Sequence, residues 1–312
     1  MTTSIAFVMD PIESINIKKD TTFAMMLEAQ KRGWNIFYLQ PTDLWLQQSK
    51  VFAKMARVTV KDNSEHYYSL ETSITQALDE LDFIFIRKDP PFDMDYIYMT
   101  YLLAHVKQAR VVNNPQSIRD CNEKLFTTWF PQCCPDILVS AQKERLREFA
   151  SKYQTIVVKP LGGMGGRSIF RLSQNDPNLN VAIETLTNGG KELVMAQQFI
   201  PEIKNGDKRV LMINGEPIGY ALARIPASND FRGNLAAGAT SEGRELTERD
   251  LWIANQVGPT LRDKGLIFVG LDIIGDHLTE INVTSPTCVR ELDKIFNLNI
   301  SASLFDAITS DT

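Results

Sequence analysis

Asp272, Glu280 and Asn282 are the residues whose type and spacing point most directly to chemistry. They lie in the stretch Gly270 to Pro286, which alternates as strands do. Leu271 and Ile273 face one way, and Asp272 and Ile274 the other. After Gly275-Asp276-His277 the alternation resumes, with Glu280 and Asn282 on one face and Ile281 and Val283 on the other, so the stretch reads as a β-hairpin. A two-residue turn at Gly275-Asp276 would put Asp272 and Glu280 on opposite faces. A loop from Gly275 to His277 pairs Asp272 with Glu280 and Leu271 with Ile281. The second register makes both faces consistent. Two carboxylates and an amide oxygen then form a hard, oxygen-only set that suits Mg²⁺, with water or phosphate in its other positions. A solvated polar face on an antiparallel hairpin accounts for the same alternation.

The second candidate is the run Gly162, Gly163, Met164, Gly165, Gly166. It follows a strand and precedes another, beginning near Ser168. A Walker A loop ends in Gly-Lys-Ser/Thr before a helix, and the dinucleotide fingerprint also needs a helix, so neither fits. What remains is a glycine-rich hairpin tip whose bare N–H groups can close over phosphates, or a flexible turn with no ligand. Lys159, on the strand entering the loop, favours phosphate as a point charge. Lys124, at the start of an expected helix, supplies a second.

Arg209, Arg224 and Arg232 offer forks for carboxylates. If Arg209 and Arg224 lie on neighbouring strands they converge on an anionic substrate; otherwise they are surface ion pairs worth about 0–1 kcal/mol. Pro226 to Arg244 is long for a loop without structure, and Gly233, Gly238 and Gly243 permit hinging, so a lid carrying Arg232 or a mobile surface loop both fit. Ser285 and Thr287 bracket Pro286 and offer hydroxyl and N–H groups to a carboxylate, or simply cap a turn. Asp10-Pro11 ends the first strand, where open α/β sheets bind ligands, although an Asp-Pro turn needs no function.

The elements that must position these residues begin with a strand, Ser4 to Met9. A helix capped by Asp20 or Thr21 and stopped by Gly33 follows, then a strand from Trp34 to Leu39. The stretch from Leu44 to Leu70 is less regular, with a hairpin around Val58 to Tyr68. Phe83 to Arg87 is a strand, followed by Asp89-Pro90-Pro91, a helix from Met94 to Ala109 and a strand at Val111-Val112. This alternation implies a parallel sheet with helices on both faces. Next come a helix from Asn122 to about Phe130, a strand at Ile137 to Val139, a helix at Gln142 to Ala150 and strands at Thr155 to Val158 and Ser168 to Leu172. A helix near Val181 to Leu186 and a strand at Leu193 to Gln198 complete this part. Asn214-Gly215 marks a tight hairpin. Helices at Glu248 to Lys264 and near Ser301 to Ile308 flank the Gly270–Pro286 hairpin.

Composition narrows the class. The 312 residues suffice for two or three domains, and 44% hydrophobic with 23% charged residues is ordinary for a globular protein. A net charge of −5 argues against a nucleic-acid partner. With no basic leader and no long apolar run, neither a signal peptide nor a membrane span is expected. The four cysteines, Cys121, Cys133, Cys134 and Cys288, form no Cys-x-x-Cys pair, which suits reduced thiols in the cytoplasm. Three scattered histidines disfavour a zinc site or a His-based triad.

Lys124, Lys159 with its glycine loop, and Asp272, Glu280 and Asn282, in this order, resemble the ATP-grasp superfamily. Longer motifs narrow the resemblance: Arg-Lys-Asp-Pro-Pro-Phe-Asp (87–93), Arg-Asp-Cys-Asn-Glu-Lys-Leu (119–125), Lys-Pro-Leu-Gly-Gly-Met-Gly-Gly (159–166), Arg-Gly-Asn-Leu-Ala-Ala-Gly (232–238) and the segment 268–288 are similar to the bacterial glutathione synthetases over nearly the whole chain. The resemblance implies an α/β protein of ATP-grasp fold with three parts. These are an N-terminal α/β substrate domain (1–121), a central lid-like ATP subdomain with the glycine loop (122–200) and a C-terminal antiparallel-sheet subdomain with the metal site and the lid 226–244 (201–312). It implies that Lys124, Lys159 and the glycine loop bind ATP, with Lys159 also reaching the adenine region. Gln198, Phe199 and Ile200 would read adenine through backbone groups, and Asp207 would reach the ribose. Asp272, Glu280 and Asn282 would hold Mg²⁺ or Mn²⁺. Arg209, Arg224 and Arg232 would face the peptide and the transferring phosphoryl group, with Ser285, Pro286 and Thr287 near the peptide carboxylate. A homotetramer is also implied.

The implied reaction joins γ-glutamylcysteine to glycine with ATP, through an acyl phosphate. A carboxylate resists nucleophiles, and phosphorylation supplies its leaving group; metal, lysines and an arginine would stabilise the developing charge. Acyl phosphates hydrolyse, so a flap and a lid that exclude water are expected. The alternatives are another carboxylate–amine ligase, such as one of the D-alanine–D-alanine type, a nucleotide-binding regulator without turnover, and a plain phosphotransferase. Product analysis and the dependence of ADP release on both substrates separate them.

Overall fold

The computed structural model describes residues 2–163, 165–227, 230–233 and 238–310. Three sheets follow one another along the chain. The first contains β1 (Ser4–Met9), β2 (Asn35–Leu39), β3 (Leu44–Gln47), β4 (Lys50–Val60), β5 (Tyr68–Leu70), β6 (Ile74–Ala77), β7 (Phe83–Arg87) and β8 (Arg110–Val112). Helices α1 (Thr21–Lys31), α2 (Met94–Leu103) and α3 (Pro115–Asp120) are interspersed. Asp20 caps α1 by accepting from the Phe23 N–H, and Gly33 follows its end at φ 73°.

A wholly parallel first sheet is not what forms. β2, β1, β7 and β8 are parallel, whereas β3 to β6 add an antiparallel extension around the long strand β4. The physical reason is visible in β4, whose burial alternates along most of its length as for a one-sided antiparallel strand. The helix expected to reach Ala109 ends at Leu103.

The second sheet is antiparallel, in the order β11-β10-β12-β9. It contains β9 (Ile137–Ser140), β10 (Thr155–Pro160), β11 (Phe170–Ser173) and β12 (Val194–Gln198), with α4 (Lys143–Tyr153) and α5 (Leu179–Leu186). Both helices cover one face, where Leu146 and Ile183 pack with Ile156, Val158 and Ala196 in a core of their own. The opposite face turns Val157, Lys159 and Gln197 toward the cavity described below.

The third sheet runs β15-β14-β13-β16-β17. Its strands are β13 (Asp207–Ile213), β14 (Glu216–Ile225), β15 (Thr240–Glu245), β16 (Phe268–Ile274) and β17 (His277–Asn282). Asn214 and Gly215 turn β13 into β14 with φ 48° and 80°, as a tight hairpin requires. Helix α6 (Glu248–Asp263) starts in a capping box between Thr247 and Asp250, and α7 (Val289–Phe296) and α8 (Ile300–Ser310) close the fold. Of these, α7 was not anticipated; its short run follows Cys288, which takes φ 90°.

The first and third sheets share both of their cores. Leu271, Ile273 and Val210 pack in one cluster with Val8, Ile84 and Leu103, and Leu211 and Leu222 in the other with Phe7, Phe85 and Phe305. One face of β13, β14 and β16 is thus apolar except at Lys208, which pairs with the buried Asp250 of α6. The other is apolar at one end and charged at the other, and the charged end is where the chemistry collects. Among the described residues, no helix is long and apolar enough to cross a membrane.

Candidate functional site

Asp272 does pair with Glu280, and Leu271 with Ile281. The device differs from the expected three-residue loop. The turn is the two-residue Gly275-Asp276, with Ile274 opposite His277, and the register then slips by one between Asp272 and Ile273. A β-bulge at Thr279 absorbs the extra residue and restores the shared face. It also aims the Thr279 carbonyl at Lys159, whose Nζ donates to it at 3.1 Å. Asn282, opposite Gly270, donates through Nδ2 to the Gly270 carbonyl at 3.2 Å, which leaves its amide oxygen available.

Arg209 and Arg224 lie on the neighbouring strands β13 and β14 and face the same side as Asp272. Both guanidinium groups converge on that carboxylate. Arg209 Nε is 2.5 Å from Asp272 Oδ1, and Arg224 Nη2 is 3.0 Å from Oδ2 and 2.5 Å from Asp207 Oδ2. Burial alone would raise the Asp272 pKa, but the two guanidinium groups outweigh it and hold the carboxyl well below the usual range. Asp207 goes the other way. Burial, with repulsion from Asp272, lifts it to about 7 against the pull of the arginines. Its Oδ1 is buried and has no partner among the described residues, so it can accept from a ligand hydroxyl.

The central sheet contributes Lys159, and the turn that precedes it in the chain contributes Lys124. Lys159 on β10 and Lys124 are each 4% exposed. Their ammonium groups stand 3.5 and 3.7 Å from the same Glu280 oxygen. Burial depresses the Lys159 pKa, with Glu280 opposing and Lys124 adding to the shift. Lys124 does not open an α-helix as expected. It caps a 3₁₀ turn, Leu125–Trp129, and its Nζ donates to the Gly163 carbonyl at 2.5 Å. The Asn122 side chain sets this turn by accepting from the Lys124 and Leu125 N–H groups.

One cavity of about 350 Å³ between the second and third sheets gathers nearly all of these groups. Gly163, Gly165 and Gly166 line it, with Gly165 and Gly166 at φ 64° and 74°; Gly162 does not, and Met164 lies outside the described residues. Gln198, Phe199, Ile200 and Asp207 line the opposite rim, and Arg209, Arg224, Arg232, Asp272, Glu280, Asn282, Ser285, Pro286 and Thr287 complete the wall. Asp10 stands apart, paired with Lys88 at 2.9 Å.

The expected lid 226–244 is shorter than its sequence suggests. Thr240 to Glu245 form β15 against β14, and Gly243 lets this strand lie close to α7, since a Cβ there would strike the Phe296 ring at 2.5 Å. Residues 228, 229 and 234–237 lie outside the described residues. Arg232 pairs with Asp230 at 2.6 Å and donates to the Gly166 carbonyl at 3.1 Å, so this segment touches the glycine loop directly.

Several residues escaped sequence reasoning. Glu123 is half-buried and accepts from the N–H groups of Val283 and Thr284 and from the Thr284 hydroxyl, pinning the chain just beyond Asn282. Burial raises its pKa despite those donors. Arg87 holds the Pro286 carbonyl at 3.0 Å. Gln197 lines the cavity beside Gln198 with its Nε2 unpartnered among the described residues. The signal for Gln197 was present in the pattern, since a glutamine inside an otherwise apolar buried strand needs a partner; nothing in the sequence pointed to Glu123 over its neighbours.

Comparison with known proteins decides the family. The sequence models of the prokaryotic glutathione synthetase N-terminal domain and ATP-grasp domain match residues 3–119 and 123–297. The chain belongs to the prokaryotic glutathione synthetase family. It is 55% identical over 310 residues to a glutathione synthetase of Vibrio vulnificus, covering 99% of this chain and 98% of that one. It is equally similar, at 55% over 310 residues, to a glutathione synthetase of Pseudomonas syringae pv. tomato, with 99% and 97% covered. Among solved structures, the ATP-grasp ligase PsnB complexed with a minimal precursor superposes with a TM-score of 0.65 over 100% of both chains at 19% identity, a likeness of fold. The chain has the ATP-grasp fold, and its activity is ATP-dependent glutathione synthesis, which forms a carbon–nitrogen bond.

Proposed function

We propose that the cavity binds ATP against the central sheet and γ-glutamylcysteine against the third, and that glycine enters last. The observation that carries this reading is the meeting of Lys124 and Lys159 at one oxygen of Glu280, 3.7 and 3.5 Å away. Groups fit to neutralise phosphate and groups fit to hold a metal therefore serve the same point in space. The donor set supports a divalent metal. Asp272, Glu280 and Asn282 offer only oxygen, and Mg²⁺ or Mn²⁺ bound there would neutralise charge on phosphate oxygens. The Asp272 oxygens already accept from guanidinium groups, so Glu280 and Asn282 are its more open donors.

Adenine would lie at Gln198–Ile200. The N–H groups of Gln198 and Phe199 are spent on the Asp136 and Thr155 carbonyls, so the Ile200 N–H and the Gln197 amide are the donors left to read it. Asp207 would accept from the ribose. The closing glycine loop would cover the phosphates. The γ-phosphoryl group then passes to the cysteinyl carboxylate with ADP, still bound, as the leaving group, and the glycine amine attacks the carbonyl carbon. The carbon–oxygen bond to phosphate breaks as the amide forms and the amine gives up a proton. Arg209, Arg224 and Arg232 would steady the carboxylate, the phosphoryl group and the tetrahedral oxyanion. Ser285, Pro286 and Thr287 would form the peptide side of the cavity.

The division into 1–121, 122–200 and 201–312, a homotetramer and a cytoplasmic location belong to the same reading. Supply of ATP and four free cysteines favour the cytoplasm, and sedimentation equilibrium tests the assembly. The reading is tested by incubating the protein with ATP, Mg²⁺, γ-glutamylcysteine and glycine. One ADP and one glutathione should appear together, and ADP released without glycine, or no tripeptide, would overturn it.

A further inference from the structure

The dipeptide that this reading assigns carries one positive and two negative groups. The γ-linkage leaves both the α-ammonium and the α-carboxylate of the glutamyl residue free, at the end away from the reacting cysteinyl carboxylate. The cavity must tell these ends apart, and most of its charge cannot. Of the carboxylates that line it, Asp207 and Asp272 are paired with arginines and Glu280 with lysines. Glu123 is half-buried, and its Oε1 is taken up by the Val283 and Thr284 N–H groups and the Thr284 hydroxyl, which hold it against the chain beyond β17.

Asp89 is different. It lies just past the C-terminal end of β7, is exposed on the cavity rim, and has no ion-pair partner among the described residues. One of its oxygens, Oδ1, accepts from the Ser285 hydroxyl. Its position is fixed from behind, where its own N–H donates to Asp10 Oδ2 at 2.9 Å and Asp10 pairs with Lys88. Across the rim, Arg87 fixes the Pro286 carbonyl while its Nε donates to the Thr22 hydroxyl at 3.0 Å. A stationed carboxylate therefore stands at the mouth, and the cationic side chains stand deep.

We propose that Asp89 pairs with the glutamyl α-ammonium and so sets the direction in which the dipeptide enters. This assignment rests on the ligase reading above. Reversing the peptide would bring the ammonium to carboxylates already engaged by Lys124, Lys159, Arg209 and Arg224, where it would have to compete with those cations for its partner. Charge-assisted hydrogen bonds are the strong ones, and a carboxylate held by its neighbours loses little freedom in making one.

The test is Asp89→Asn, which keeps an oxygen for the Ser285 hydroxyl and removes the charge. Steady-state rates with γ-glutamylcysteine are compared with the inhibition constant of glutarylcysteine, the same molecule without the ammonium. The expected result is a KM for γ-glutamylcysteine raised about tenfold or more, with kcat and the KM values for ATP and glycine within about twofold, and an inhibition constant for glutarylcysteine that matches wild type. An unchanged KM would overturn the proposal. So would an equal loss with both compounds, which would reduce Asp89 to a support for the Ser285 segment. Wild-type protein that forms no tripeptide would overturn the ligase reading and this assignment with it.

Discussion

The second sheet and the third sheet face each other across the cavity, yet they are built differently. The third shares both of its cores with the first, so Leu271 and Leu211 pack against residues more than a hundred positions away. The second has a core of its own, filled, among the described residues, from residues 138–196. Polar contacts cross the cavity between the two: Lys159 to Thr279 and Glu280, and Arg232 to Gly166. A packed apolar interface resists movement because it has few alternative arrangements of similar energy. A polar one can part and reform. The third sheet is therefore the fixed bench on which carboxylates and arginines are held, and the second is the part free to close over a nucleotide.

The sharpest way to break this comparison is at the bench. Glu280→Gln removes the charge that both lysines meet and should cut kcat/KM by about 10²–10³ while leaving the unfolding midpoint nearly unchanged. Added Mg²⁺ should restore it partly at best, and wild-type rates would contradict the role given to this residue. Asp250→Ala should act on stability instead. Asp250 is fully buried against Lys208, which also reaches the Gly275 carbonyl at the hairpin tip. Leaving that lysine unpaired should cost about 3–5 kcal/mol in urea unfolding.

Leu146→Ala should lose about 2–4 kcal/mol, but from the second sheet alone. Hydrogen exchange would then quicken in residues 137–198 and remain slow in β1, β7 and β16. Equal quickening everywhere would show that the cores are not separate. Arg232→Ala should uncouple the reaction, so that more ATP is hydrolysed than glutathione formed; unchanged stoichiometry would argue against a water-excluding role. Gly165→Ala is the mildest. Its φ of 64° with open space around a Cβ predicts about 1 kcal/mol of local strain and a severalfold rise in the KM for ATP, with little change in the KM for dipeptide.

The contrast also marks what the sequence could reveal. The three sheets were legible because their strands alternate or run apolar between clear turns, as Asn214-Gly215 and Phe83–Arg87 do. The pairing of Asp272 with Glu280 was legible because a slip of one residue would have exposed Leu271 and Ile273. The means was not: one residue can enter through a longer loop or through a bulge, and the face pattern is the same for both. The hairpin expected around Val58 to Tyr68 is the pairing of the end of β4 with β5, whereas β3, β6 and the first part of β4 were missed because their polar edges imitate loop. The ion pairs of Arg209 and Arg224 with Asp272 were hidden for a different reason. Adjacent strands set which residues can meet, but whether an arginine turns to a carboxylate of its own sheet or to a ligand is decided by three-dimensional charge balance. Glu123 and Asp89 act through partners about 160 and 196 positions away, a separation that no local pattern encodes.

The proposed chemistry carries a phosphoryl group onto the dipeptide's own acid. It is tested most directly with γ-glutamylcysteine labelled with ¹⁸O in the cysteinyl carboxylate. One labelled oxygen should appear in the inorganic phosphate for each glutathione formed. Glutathione made alongside unlabelled phosphate would contradict it.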